Sequence, residues 1–193
     1  MRNLKIYIVA LALLLTGCSI NSLNDSTFIE DRNNPGLPEY SEWGFNTFGA
    51  YIDRSAYVSA YDVMPAKIIV SADTFQLRLN GQWKGSPLTL KFSLKGYNPT
   101  NYSSLTSLND SRFNLVDKNY KVTMIYLGNT QVLNVYEGEL YFKRVQLLYV
   151  DKESTETILS GTFMFKTHFA DEPVTISSGR FDLGIGFDNF YKF

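Results

Sequence analysis

The chain has 193 residues and a formal net charge of −1; 45% of its residues are hydrophobic, 15% aromatic and 19% charged, which excludes a disordered tail or a collagen-like fibre. Arg2 and Lys5 stand in the first seventeen residues with no acid beside them, so the remainder carries 16 Lys and Arg against 19 Asp and Glu, a net −3 that gives no reason to bind phosphate backbones; no nucleic-acid partner is expected. With one cysteine and one histidine the chain cannot build a disulfide framework or a Cys/His zinc site, and neither a metal nor a cofactor is expected.

In chain order, the first element is an address. A cationic start (Arg2, Lys5) leads into an apolar run from Ile6 to Leu15 and then Leu15-Thr16-Gly17-Cys18. About 20 apolar residues are needed to span a bilayer, so the run is too short for a comfortable anchor and has the charge pattern of a secretory signal. Its last four residues resemble the bacterial lipobox, in which the cysteine thiol becomes a thioether to diacylglycerol. The resemblance implies a signal peptide over 1–17, acylation of Cys18, and attachment to a membrane by several acyl chains. Ser19 behind the cysteine, by likeness to the sorting rule of enterobacterial lipoproteins, implies the outer membrane; the side the domain faces stays open.

Residues 18–42 are polar and punctuated (Asn33-Asn34-Pro35-Gly36, then Pro38), with no sustained apolar period, which predicts a flexible tether. Residues 43–193 are long enough for one domain with its own core. Within it the period is two. Phe45 to Ile52 and Tyr57 to Val63 form an expected hairpin around Asp53-Arg54-Ser55. Further strands are expected over Lys67 to Ala72, Thr74 to Leu79 and Leu88 to Leu94, with Asn80-Gly81 as a turn because both residues accept positive φ. The stretch Asn98 to Asp110, rich in Ser, Thr and Asn, reads as a long loop. Gln131 to Glu137, Glu139 to Val150, Thr157 to Phe169 and Val174 to Leu183 complete the strands, and Asp151 to Thr155 joins two of them as a hairpin loop. No helical period is sustained after Cys18. The fold class expected is all-β: one antiparallel domain of nine or ten strands, a sandwich or a closed barrel.

Two regions carry a likeness. Asn46-Thr47-Phe48-Gly49-Ala50-Tyr51-Ile52 opens the domain; Ser160-Gly161-Thr162-Phe163-Met164-Phe165 and Gly179-Arg180-Phe181-Asp182 close it. Together with the lipobox they resemble the small β-rich lipoproteins of the Bacteroidota, whose N-T-F-G opening strand and S-G-T-F-x-F and G-R-F-D closing strands they match in order. The resemblance implies a lipid-anchored β domain and brings no activity with it. On the residues alone, Gly49, Gly161 and Gly179 mark bulges or close backbone approach, and Phe163, Phe165 and Phe169 alternate onto a core face.

Chemistry is sparse. His168 lies on the face opposite those phenylalanines, beside Met164 and Lys166, with no nucleophile or orienting acid in sight. Glu137 and Glu139 share a strand face and are the one pair able to support carboxylate-based glycan hydrolysis, an unfavoured alternative. No catalytic residue is expected, and the protein is read as non-enzymatic. Trp43, Trp83, Tyr97 and Tyr102, in or beside loops with Asn and Asp nearby, are the candidate ligand-binding residues, for a glycan or a protein partner. A lipocalin-like barrel holding an apolar ligand among inward aromatics is the rival binding mode. The terminal run Phe187 to Phe193 also resembles the closing strand of outer-membrane barrels, against which the lipobox argues.

Overall fold

The computed structural model describes residues 26–60 and 64–193; the signal peptide, Cys18, the first residues of the expected tether and the last three of the run to Val63 lie outside the described residues. The domain is all-β. Its strands are β1 (Thr47–Ile52), β2 (Ser55–Ser59), β3 (Ala66–Ser71), β4 (Thr74–Trp83), β5 (Ser86–Lys95), β6 (Ser111–Asn114), β7 (Tyr120–Tyr126), β8 (Asn129–Leu133), β9 (Glu137–Val150), β10 (Glu153–Phe169), β11 (Glu172–Ile185) and β12 (Phe190–Lys192). All twelve belong to one sheet running β6-β9-β10-β11-β1-β2-β4-β5-β7-β8, with β3 on β4 and β12 on β3. The sheet does not close. Its two halves fold face to face about the central β1–β2 hairpin, a sandwich-like arrangement.

The inward positions are filled by rings. Phe92 of β5 meets Phe163 of β10 at 5.3 Å between centroids, Phe75 of β4 meets Phe142 of β9 at 6.4 Å, and Phe142 meets Phe181 of β11 at 5.6 Å, mostly edge to face. Such contacts add to the burial of large apolar area that dominates core energetics. Tyr57 is fully buried among them, so its hydroxyl must be satisfied internally: it donates to the Leu79 carbonyl at 2.6 Å and accepts from the Leu90 amide at 3.3 Å.

Four hairpins turn on residue pairs in the left-handed region: Lys84-Gly85, Leu127-Gly128, Asp151-Lys152 and Ala170-Asp171. Two consecutive positive φ values match the twist of the flanking strands. The expected loop Asp151 to Thr155 is therefore only a two-residue turn. Asn80-Gly81 is no turn at all; β4 runs through it, Asn80 opposite Thr89 and Gly81 opposite Leu88. Gly81 is needed for close approach, since a Cβ there would stand 2.1 Å from the Val58 carbonyl oxygen and 2.7 Å from the Phe48 ring. Gly161 does the same under Phe181.

Other expectations are corrected. The stretch Asn98 to Asp110 contains a 3₁₀ helix, Tyr102–Leu108, capped reciprocally by Asn101 and Ser104, whose Leu105 and Leu108 are buried in the core. Strands β6 and β7 follow it, where none was expected. The C-terminal run, whose likeness to a barrel's closing strand is not the favoured reading, forms β12, three residues long and paired in parallel with β3.

Nor is the segment before Trp43 a free tether from Ser26 onward. The Thr27 amide donates to the Phe45 carbonyl at 2.8 Å, Glu30 bridges to Pro38, Leu37 is fully buried, and Pro38 lies over Gly49. The Arg180 guanidinium grips the Asp31 carboxylate, which the Asn33 amide, the Asn34 side chain and that arginine together hold down at about pKa 2. The physical reason is that this strap borrows its partners from β11. The Asp182 carboxylate, 2% exposed, accepts from the amides of Trp43 (3.2 Å), Gly44 (2.9 Å) and Phe45 (3.1 Å) and from the hydroxyls of Ser160 (2.8 Å) and Ser41.

Gly161→Ala places a Cβ 2.1 Å from the Tyr141 carbonyl oxygen. The strands must part, and a loss of about 2–3 kcal/mol is expected in a urea titration. Gly85→Ala, at φ +74 with nothing within 4 Å, has only backbone strain to bear. That strain costs about 1 kcal/mol; equal losses at the two sites would contradict the close-packing account.

Candidate functional site

The four candidate aromatics are not gathered into one site. Trp83, at the end of β4, turns inward; its ring meets Tyr126 at 5.1 Å, Lys84 lies over it, and its Nε1 is covered without an acceptor. Tyr97 packs edge-on against Phe75 at 5.4 Å and shares a 2.7 Å hydrogen bond with Ser107. Tyr102 donates to the Ser154 carbonyl at 3.0 Å while its own carbonyl accepts from Thr157 at 2.7 Å. These three fasten the 3₁₀ helix and the sheet ends, the structural role that large rings near loops usually have.

Trp43 alone is presented to solvent, 76% exposed. Its backbone is fixed by Asp182, so the ring stands on a rigid base. Beside it an open cleft of about 370 Å³ is lined by Tyr40, Ser41, Glu42, Arg144 and Gln146. Glu42 anchors that surface: it pairs with Lys143 at 3.5 Å and Arg144 at 3.4 Å, accepts from the Tyr40 hydroxyl at 3.0 Å, and its carbonyl accepts from Gln146 at 3.0 Å. An exposed indole with a guanidinium and an amide at its edge can stack on a planar or sugar face while hydrogen-bonding its rim. Sequence reasoning found Trp43 and missed Tyr40, Arg144 and Gln146, which reach it only through the strap and β9.

Glu137 and Glu139 do share the outer face of β9, but each is neutralised separately, Glu137 by Lys166 at 2.8 Å and Glu139 by Arg112 at 2.7 Å. Both pairs are largely exposed. His168 is on the solvent side as expected, its ring 5.5 Å from Tyr136. Among the described residues no group of three or more His, Cys, Asp or Glu is placed to hold a metal ion.

Among the described residues the inner aromatics pack on one another, Phe92 against Phe163 and Phe142 against Phe181, where a lipocalin-type chamber would lie. A second, larger concavity lies outside, on the face of β3, β4 and β5, with a volume of about 580 Å³.

No protein-family model, curated protein or solved structure matches this chain.

Glu156, in β10, is a buried carboxyl that no cation among the described residues neutralises; burial, and then the Asp188 carboxylate, push its pKa up from the ordinary 4.5. A group with a raised folded-state pKa stabilises below its unfolded value and loses that contribution as pH rises through the folded one. Glu156→Gln is therefore expected to raise Tm at neutral pH and to give no gain below about pH 4.5. A gain that persists unchanged into acid would contradict the assigned cause.

Proposed function

We propose that the protein is a lipoprotein held in the outer membrane through Cys18, and that its β domain is a binding or envelope-structural module, not a catalyst. The anchor rests on the only cysteine of the chain standing directly behind a cationic start and a short apolar run. Several acyl chains hold a protein where one would give marginal, reversible attachment. Among the described residues no helix is long and apolar enough to cross a membrane.

The binding reading is carried by the filled interior. Phe48, Phe75, Phe92, Phe142, Phe165 and Phe181 are each no more than 1% exposed, so a ligand is met on the outside of the sheet, at surfaces such as that of Trp43. This weighs against a lipocalin-like carrier, which needs a chamber where these rings pack. The ion pairs at Glu137 and Glu139 weigh against a hydrolase built on them, since each carboxylate is held by its own cation, Lys166 and Arg112, on an exposed strand face. The likeness to Bacteroidota lipoproteins supports the lipid anchor and brings no activity with it.

Cys18→Ser removes the thiol that would carry the lipid. The variant is expected to leave the outer-membrane fraction and to incorporate no labelled palmitate, while the wild type does both the opposite. Membrane retention of the variant would contradict the anchor.

A further inference from the structure

The two halves of the sheet differ in how their charges are balanced. All five ion pairs found among the described residues lie on the half made by β6, β9, β10, β11 and the strap: Arg112 with Glu139, Lys143 and Arg144 with Glu42, Lys166 with Glu137, Arg180 with Asp31. Strands β3, β4, β5, β7, β8 and β12 contain Lys67, Arg78, Lys91, Lys95, Lys121 and Lys192, and no carboxylate.

Three of these cations stand in one row. Lys67 of β3 is directly opposite Arg78 of β4, and Arg78 directly opposite Lys91 of β5. Their neighbours Ile68, Leu77 and Leu90 are buried in the core, so all three project from the outer face. Like charges directly opposite on a sheet repel and cost stability. The Lys91 ammonium registers this: burial, and then Arg78, lower its pKa. Among the described residues Arg78 donates only from Nη2, to Gln76 at 3.2 Å, while its Nε is covered and has no acceptor there. Lys67 and Arg78 line the outer groove of about 580 Å³ together with Asn80, Gln82 and Thr89, and Met64 and Ile125 supply apolar wall.

We propose that this row binds an acidic saccharide chain, its carboxylate or sulfate groups meeting Lys67, Arg78 and Lys91 in turn. Neighbouring strands lie about 4.8 Å apart, so the row presents one cation per strand spacing. That interval is comparable to the rise of one sugar in an extended polysaccharide. Arginine offers a fork of donors that matches a carboxylate, and amide and hydroxyl groups along the groove suit sugar hydroxyls. A concave, hydrogen-bonding groove favours a chain with shape over a flat lipid surface. The proposal rests on the binding-module reading and is independent of the anchor.

The test uses the full chain in a non-ionic polyoxyethylene detergent, titrated calorimetrically with a galacturonate hexamer, a heparin hexamer and, as neutral control, maltohexaose. At least one acidic hexamer is expected to bind, with affinity falling steeply as salt rises, and maltohexaose is expected not to. Arg78→Gln and Lys91→Gln should each weaken binding about tenfold. Their Tm should hold or rise, because each relieves repulsion in the empty row; a merely structural role would lower it. Lys166→Gln, on the other half, should leave binding unchanged. The proposal is overturned by no binding of either acidic hexamer, by binding indifferent to Arg78 and Lys91, or by equal competition from the lipid headgroup glycerophosphoglycerol. Recovered hexamer is then sized: an intact chain agrees with a binding module, while shortened products would refute the non-catalytic reading and leave the site standing.

Discussion

One buried carboxylate sets how the chain enters its own sheet. A charge as enclosed as that of Asp182 is costly unless its oxygens are filled, and here three consecutive strap amides and two hydroxyls fill them. The strap then delivers Asn46, at φ 53, whose side-chain oxygen accepts from the Gly184 amide at 2.8 Å, and β1 follows at once between β11 and β2. That position is where the two halves of the sheet meet. Fixing it fixes which faces turn inward and lets Phe48 close over Gly81. Arg180, two residues away on the same face of β11, repeats the device with Asp31.

A sheet folded over such a core leaves its chemistry on the outside. The strap half carries all five ion pairs found among the described residues, with Trp43 raised on a fixed backbone. The opposite half is open, with cations in register and no acid among its strands. An asymmetry of this kind costs stability in the free protein, and a bound anion would offset that cost.

Much of the fold was legible in the sequence because a pleated strand advertises its inner face every second residue. Phe163 and Phe165 alternate inward as the pattern requires, and the class, the main strands and the exposure of His168 follow from such alternation. The failures have physical causes. Asn80-Gly81 has the chemistry of a turn, but its glycine serves a ring and a carbonyl from other strands, contacts local sequence does not encode. The strap has no sustained apolar period, and much of what orders it comes from Asp182 and Arg180, about 140 residues away. The Asn101 and Ser104 capping pair and the alternation of Val122 and Met124 in β7 were readable signals for elements that composition alone masks. At the surface, Trp43 stood out by type, whereas the row of Lys67, Arg78 and Lys91 exists only through register.

The most direct measurement of this account is amide hydrogen exchange at Trp43, Gly44 and Phe45 in the wild type and in Asp182→Asn, which keeps the shape and removes the charge. In the wild type the three amides should exchange slowly and together; in the variant they should exchange much faster while the centre of the β10–β11 ladder stays protected. Protection of the three amides unchanged by the substitution would contradict the claim that this carboxylate holds the strap.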